Sequence, residues 1–193
     1  MLLDNEELIS DLKQGSQKAL EELYNLFKNR VYNTIISYVQ SEADAEELTQ
    51  DVFIEIFNSI NKFKSESNLS TWIYRIAVNK SLDFIRYTKR KKRFSIITSI
   101  FNPKTGELSV DQPDFIHPGV EMDLRERSVI LFKAIDKLPE NQKTAFILSK
   151  VEGLSNKEIM EIMNVSVSSV ESLLFRAKQN LRKLLNDKFD ELY

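Results

Sequence analysis

The side chains whose types most clearly indicate a binding function lie on one predicted helix in the middle of the chain. Within about 60° of arc this helix carries an aromatic ring, an amide and two guanidinium groups, those of Trp72, Arg75, Asn79 and Arg86. The basic cluster KRKKR follows at 89–93. Arginine and lysine can follow phosphates, asparagine can contact a base edge, and an aromatic ring can stack on a base. This face favours single-stranded DNA, although a plain duplex also fits and Trp72 could instead complete a core.

The charge of the chain is strongly segregated. The formal net charge is −2, but residues 1–60 sum to −8, 61–104 to +9, 105–136 to −4 and 137–193 to +1. A polyanionic partner explains a basic block inside an otherwise acidic chain, because each neutralised phosphate releases counterions. The charge pattern therefore also indicates nucleic acid.

A second motif reads as helix, tight turn and helix within residues 154–185. Ser155 with Glu158 has the signature of a capping box, Asn164 suits a left-handed turn position, and Ser166 can cap the following helix. This spacing is typical of a helix-turn-helix DNA-binding unit, with an ordinary helical hairpin as the alternative.

The last helix of this motif has an apolar and a polar face. The apolar arc holds Val170, Leu174, Ala177, Leu181 and Leu185. The candidate DNA contacts are Ser166, Ser168, Ser169, Glu171, Ser172, Arg176, Gln179 and Lys183. Small residues at the helix start allow close approach to DNA, and Arg176 can reach guanine or phosphate. Phosphates would repel Glu171 unless it accepts a hydrogen bond from a cytosine amino group or caps the helix.

Composition excludes several kinds of site. The chain has no cysteine, one histidine (His117) and four scattered glycines, which removes thiolate chemistry, multi-histidine metal sites and glycine-rich phosphate loops. We therefore expect no metal, no cofactor and no enzymatic activity. No apolar run approaches the roughly 18 residues that span a bilayer, and the first residues are acidic where a signal peptide is basic. We expect a cytoplasmic protein without direct membrane insertion.

Apolar residues at steps of three and four predict an all-α fold. The apolar residues from Leu20 to Val39 mark a first helix, and those that follow Ser41 and Asp44 mark a second. A third helix is predicted from about Thr71 to the basic cluster.

Three of the four prolines fall in residues 94–123, which show no sustained period. Such a segment is typical of a flexible linker. The sequence thus predicts two small helical domains, residues 1–93 and 124–193, and the second carries the helix-turn-helix.

Three segments taken together resemble a known family. They are DAEELTQDVFIEIFNSINKF (44–63), STWIYRIAVNKSLDFIR (70–86) and the run at 138–185. Their order and spacing are similar to those of extracytoplasmic-function (ECF) sigma factors of the bacterial sigma-70 family, over most of residues 15–185. The resemblance implies a subunit that binds core RNA polymerase and promoter DNA and directs transcription initiation.

The resemblance also implies roles for individual residues. The second predicted helix would dock on the clamp helices of the largest polymerase subunit through Asp44, Glu47, Gln50, Asp51 and Glu55. The next loop and helix would melt and read the minus-ten element through Lys64, Ser65, Trp72, Arg75, Asn79, Lys80, Arg86 and Arg90. The helix-turn-helix would read the minus-thirty-five element as duplex, although many relatives carry basic residues where this chain has Glu171 and Leu173. The linker would thread towards the RNA exit path.

Two other classes of protein stay open as alternatives. A free-standing helix-turn-helix regulator usually dimerises, and the chain has no heptad zipper. A helical enzyme is the least favoured, because His117 sits in the predicted linker without a pocket. The resemblance also implies an anti-sigma factor as a partner, often a membrane-anchored one.

Overall fold

The computed structural model describes residues 5–101 and 125–190, and every regular element in these ranges is helical. The N-terminal lobe contains α1 (Asn5–Lys13), α2 (Gln17–Val39), α3 (Glu42–Ser59), a 3-10 turn (Ile60–Lys62) and α4 (Leu69–Phe101). The C-terminal lobe contains α5 (Arg125–Asp136), α6 (Glu140–Phe146), a π-helical turn (Ile147–Val151), α7 (Asn156–Met163) and α8 (Val167–Asp190). The predicted all-α fold is confirmed. None of the helices described in these ranges is long and apolar enough to cross a bilayer.

The N-terminal lobe is a bundle in which α2, α3 and α4 pack on one another. The hydroxyls of Ser16 and Ser41 cap α2 and α3 by accepting hydrogen bonds from the backbone N–H groups of Ala19 and Asp44, at 3.3 and 3.4 Å. The predicted stripes supply the buried residues Leu23, Val31, Ile35, Val52, Ile56, Ile73 and Ala77. The periodicity of these helices is therefore confirmed.

The first helix, α1, was not predicted from the sequence. Leu8, Ile9 and Leu12 are buried on it, and α1 packs against α2 and the 3-10 turn. A helix of nine residues is too short to be stable alone, so these tertiary contacts hold it.

The helix α4 runs to Phe101, past the predicted end at Arg93. That predicted end is wrong, because residues 94–101 of the expected linker are helical. No glycine or proline occurs between Leu69, where α4 begins, and Pro103, and proline disfavours helix at the residue that precedes it. The rest of the predicted linker lies outside the described residues.

The two lobes pack directly on each other, which the sequence did not predict. Their buried side chains form one continuous cluster, in which α4 contacts α7 and α2 contacts the π-helical turn. The ammonium of Lys143 is buried at this junction and donates hydrogen bonds to the carbonyl of Tyr38 at 3.1 Å and to Asp136 at 2.7 Å. Burial lowers the pKa of Lys143, and the Asp136 carboxylate opposes that shift. These bonds let a cation lie inside the junction.

Candidate functional site

The basic and aromatic face of α4 keeps its asparagine exposed. Trp72 is half-buried, and its ring centroid lies 5.2 Å from that of Phe63. On the opposite side of α4, Ile73 and Ala77 are buried as predicted. Trp72 thus contributes to packing and also keeps part of its ring at the surface, and its contact with DNA stays a prediction.

The two arginines of the face contact the C-terminal lobe. Arg75 donates from Nη2 to the main-chain carbonyl of Glu161 at 2.6 Å. Arg86 donates to both carboxylate oxygens of Glu140, at 2.5 and 3.3 Å, and to Asp83 at 3.2 Å. Two predicted DNA contacts are therefore engaged within the chain when the lobes are packed together.

The loop that precedes α4 is exposed at both predicted DNA contacts, Lys64 and Ser65. Ser65 has φ +57°, a left-handed conformation that is uncommon for a residue with a side chain. Nearby, Lys80 Nζ lies 3.6 Å from Glu55 Oε2. The structure thereby brings together a residue predicted to contact DNA and one predicted to contact polymerase.

The outer face of α3 presents its acids to solvent. Four predicted polymerase contacts are exposed, Glu47, Gln50, Asp51 and Glu55, and Asp44 is half-buried. The opposite face buries Ala45, Leu48, Val52 and Ile56. The acids thus lie outside the core and can face a basic partner, although Glu55 already lies beside Lys80.

An apolar groove that was not predicted from the sequence lies beside these acids. Ile54 and Phe57 on α3 are 59% and 38% exposed, and Tyr24 on α2 is 40% exposed. With Leu20 and Phe53 they line a groove of about 380 Å³. The sequence periodicity could have indicated this groove, because it places the apolar residues Ile54 and Phe57 outside the buried stripe of α3. An apolar centre with a charged rim is the usual composition of a protein-binding surface.

The helix-turn-helix has the local geometry that the sequence predicted. Ser155 Oγ accepts from the N–H of Glu158 at 3.3 Å, and Glu158 accepts in return from the N–H of Ser155 at 2.8 Å. The Ser155 hydroxyl also donates to the Glu158 carboxylate at 2.7 Å, and this bond together with that from the Ser155 N–H lowers the pKa of Glu158. Asn164 has φ +53°, and Ser166 Oγ accepts from the N–H of Ser169 at 3.2 Å. The capping box, the left-handed turn and the second cap are confirmed.

The polar face of α8 is open to solvent. Ser169 is half-buried, and the other predicted contacts are exposed, namely Ser166, Ser168, Glu171, Ser172, Arg176, Gln179 and Lys183. The predicted apolar arc buries Val170, Ala177 and Leu181. Phe175 is also exposed, at 63%. The C-terminal lobe therefore packs one face of α8 against its core and leaves the other face exposed.

A half-buried acid, Glu152, also lies at the junction of the lobes. Burial raises its pKa, and the hydrogen bond from the hydroxyl of Tyr74, at 3.2 Å, offsets only part of this effect. The positive charge of Arg30 also lowers the pKa of Glu152.

Replacing Glu152 with Gln should stabilise the protein at neutral pH. A raised folded-state pKa means that the folded chain holds this proton more tightly, so stability falls as the pH rises from 4.5 through that pKa. We expect Glu152→Gln to increase the free energy of unfolding at pH 7, because glutamine keeps the neutral form of the side chain. Urea titrations at several pH values should show the difference vanish below pH 4.5, where the unfolded chain also binds the proton. A variant that is less stable than the parent at pH 7 would contradict this account.

Within residues 5–101 and 125–190, no group of three or more acidic or histidine side chains is placed to hold a metal ion.

Two family models match the chain. Sigma-70 region 2 matches residues 23–91, and Sigma-70 region 4 matches residues 128–181. The first match covers most of α2, all of α3 and most of α4, and the second covers α7 and the first part of α8.

Curated relatives match over nearly the whole length. The chain is 34% identical over 177 residues to the ECF RNA polymerase sigma-E factor of Haemophilus influenzae, covering 92% of this chain and 93% of that protein. It is 30% identical over 181 residues to the ECF RNA polymerase sigma factor SigW of Bacillus subtilis, covering 93% and 95%.

Solved structures share the fold. CnrH in complex with the cytosolic domain of CnrY aligns with TM-score 0.68 at 20% identity, over 95% of this chain and 97% of that one. The sigma factor RpoE of Bartonella quintana, in complex with the anti-sigma factor NepR, aligns with TM-score 0.62 at 23% identity, over 88% and 98%. With both sigma-70 regions matched in order and relatives at this identity, the chain belongs to the extracytoplasmic-function sigma factors, the sigma-70 family subunits that direct RNA polymerase to promoters.

Proposed function

We propose that the two lobes divide promoter recognition between them. The N-terminal lobe binds core polymerase and the minus-ten element, and the C-terminal lobe binds the minus-thirty-five element. One observation carries this proposal: the helical frame exposes three chemically distinct faces. They are an acidic and apolar face on α3, a basic and aromatic face on α4, and a polar face on α8.

Core polymerase docks on α3. Its acids favour a basic partner, and Ile54 and Phe57 supply an apolar centre that can be desolvated. A helix with an apolar stripe and basic flanks has the complementary chemistry. The clamp helices of the largest polymerase subunit are the occupant that we assign to this face.

The α4 face takes unpaired DNA at the minus-ten element. Asn79 is exposed and offers a bidentate amide to a base edge, and the exposed part of Trp72 offers a surface for stacking or wedging. The basic residues among the predicted minus-ten contacts bind the phosphates, namely Lys64, Arg75, Lys80, Arg86 and Arg90. Ser65 belongs to the same loop surface.

The C-terminal lobe reads the minus-thirty-five element as duplex, with α8 as the recognition helix. Its first turn presents small serines that allow close approach to DNA, and Arg176, Gln179 and Lys183 extend the same exposed face. Glu171 restricts the bases that can lie opposite it to those with an amino group to donate.

Removing the carboxylate charge of Glu140 should raise the affinity of the isolated protein for minus-ten DNA. In the packed arrangement Glu140 holds Arg86, and the side chains of both are about half exposed, at 41% and 54%. A pair this exposed is weak, so we expect Glu140→Gln to raise affinity by no more than about fivefold. Fluorescence anisotropy with a labelled minus-ten single strand measures this change.

Glu161→Gln is the matched control. Arg75 bonds to the main-chain carbonyl of Glu161, so this variant loses the same charge but keeps the contact. Equal gains for both variants would mean that net charge alone explains the effect.

We also propose that the protein acts in the cytoplasm and is restrained there by an anti-sigma factor, soluble or membrane-anchored. Two proteins that share its fold were solved in complex with CnrY and NepR. The apolar groove between α2 and α3 is a surface that such an inhibitor and core polymerase would compete for.

Reconstituted transcription tests the proposed function. Purified core polymerase with this chain should initiate at a subset of a promoter library, and the recovered promoters should share elements near minus ten and minus thirty-five. Core polymerase should raise promoter affinity at least about tenfold over the isolated chain, whose net charge is −2. Tight binding by the chain alone to two symmetric half-sites would instead support a free-standing regulator.

A further inference from the structure

The junction of the two lobes contains a carboxyl group with few hydrogen-bond partners. Glu152 follows the π-helical turn, and its Oε2 accepts a hydrogen bond from the hydroxyl of Tyr74 at 3.2 Å. Its Oε1 is buried and has no hydrogen-bond partner among the described residues. Thr34 lies beside the carboxyl, but its hydroxyl donates to the carbonyl of Arg30 at 2.9 Å. An ionised Glu152 therefore exchanges several hydrogen bonds with water for a single one in the protein.

The charged groups around Glu152 compensate its charge only in part. In the part of the chain that the structure describes, no lysine or arginine forms an ion pair with its carboxylate. Arg30 on α2 acts from a longer distance, and Glu158 on α7 adds a second negative charge to the cluster. Burial raises the pKa of the phenols of Tyr38 and Tyr74, which therefore stay neutral near pH 7. Glu152 is thus the group of this cluster whose charge the packing disfavours.

Separation of the lobes would return this carboxyl to water. Glu152 belongs to the C-terminal lobe, whereas Arg30, Thr34 and Tyr74 belong to the N-terminal lobe. The packed chain holds the Glu152 proton more tightly than a separated chain, in which the pKa returns towards its ordinary value of 4.5. The equilibrium constant for separation should therefore rise up to about tenfold per pH unit above 4.5 and level off at the raised pKa.

We propose that Glu152 is a pH-sensitive switch between packed and separated lobes. Its neutral carboxyl lets the lobes pack, and its ionisation favours their separation. Separation releases Arg75 and Arg86, which the C-terminal lobe holds in the packed arrangement.

The consequence for promoter binding rests on the proposed function. Elements centred about 25 base pairs apart lie about 85 Å apart along a duplex, at about 3.4 Å per base pair. Two lobes in contact cannot occupy both elements, so the switch would control how much of the chain is ready to bind a promoter.

The reactivity of a single introduced thiol tests the switch, because the chain has no cysteine. Thr144 is 2% exposed on α6 and faces Tyr38 of the other lobe, so Thr144→Cys places a thiol that separation exposes. Its rate of reaction with dithiodipyridine is measured from about pH 5 to about pH 8, with and without Glu152→Gln. The ratio of the two rates cancels the titration of the thiol and of every group common to both chains, Lys143 and His117 included.

The rate ratio of the Glu152 chain to the Glu152→Gln chain should rise with pH by up to about tenfold per unit and then level off. Tyr74→Phe removes the hydrogen bond that favours the ionised form, so with this change the rise should continue to higher pH. Circular dichroism checks that the helix content is the same in every variant.

Two variants act as controls. Glu161→Gln removes an equal charge at the junction but keeps the main-chain bond to Arg75, and it should leave the thiol rate unchanged at every pH. Ala177→Cys places the thiol inside the C-terminal lobe, on α8, where Ala177 is fully buried. That thiol reacts only when the lobe itself unfolds, so it should react at least about tenfold more slowly than the thiol of Thr144→Cys.

A rate ratio that stays flat with pH would overturn the inference. Equal rates for the two thiols would also overturn it, because the lobes would then open only by unfolding. These measurements contain neither polymerase nor DNA, so their outcome is independent of the proposed function. Core-dependent initiation by the parent chain is measured separately, and its failure would count against the proposed function alone.

Discussion

Replacing Ile54 with Asp should weaken core polymerase binding by about 30-fold. Ile54 is 59% exposed at the centre of the α3 face, between acids that supply charge complementarity. A central apolar residue loses its water on binding. Shortening or charging such a residue typically costs about 2 kcal/mol or more of binding free energy, which is about 30-fold in affinity. Competition against a second sigma factor for a limiting amount of core polymerase measures the change.

Two other variants define how the α3 face works. Asp51→Arg reverses a charge on its rim and should reduce affinity mainly by slowing association, with an effect that shrinks at high salt. Glu6→Arg makes a comparable change on α1, away from this face, and should leave core binding intact. If Ile54→Asp competes as well as the parent while its helix content is unchanged, core polymerase does not dock on the groove.

Replacing Asn79 with Ala should cost about 1 to 3 kcal/mol at one minus-ten position and relax the base preference there. Asn79 is exposed on α4 and does not belong to the buried side formed by Ile73 and Ala77, so the fold should tolerate its loss. Transcription from every single-base variant of a minus-ten element measures the preference directly.

Arg90→Ala provides the contrast, because Arg90 offers charge to the backbone and no bidentate amide. It should weaken all promoters to a similar extent and reduce the salt slope by about one unit. If Asn79→Ala instead lowers activity equally on every single-base variant and reduces the salt slope, Asn79 is a backbone contact and the assignment of base reading is wrong.

The local parts of this protein could be predicted from its sequence. Helical stripes such as Val52 and Ile56, and caps such as Ser41 and Ser155, depend on contacts between residues a few positions apart. The turn at Asn164 and the exposed face of α8 follow from the same short-range rules. These local features are enough to indicate a DNA-binding helix-turn-helix.

Features that depend on residues far apart in the chain could not be predicted in this way. The helix α1 is stabilised by contacts with α2, and the groove exists because Tyr24 on α2 lies beside Ile54 and Phe57 on α3. Periodicity could show that Ile54 lies off the buried stripe, but it could not show which side chain from another helix lies next to it. The predicted end of α4 was wrong because a cluster of charges indicated a boundary where no helix-breaking residue stands.

The sequence by itself determined which faces of α3, α4 and α8 are buried and which carry chemistry, because one helical period sorts side chains between core and solvent. Only the tertiary structure decided that Arg75 and Arg86 contact the C-terminal lobe, and that Lys143 is buried and Glu152 half-buried where the lobes meet. These contacts join residues 54 to 105 positions apart. No short-range rule reaches that far, since the packing of one lobe on the other depends on the shape and polarity of both surfaces at once.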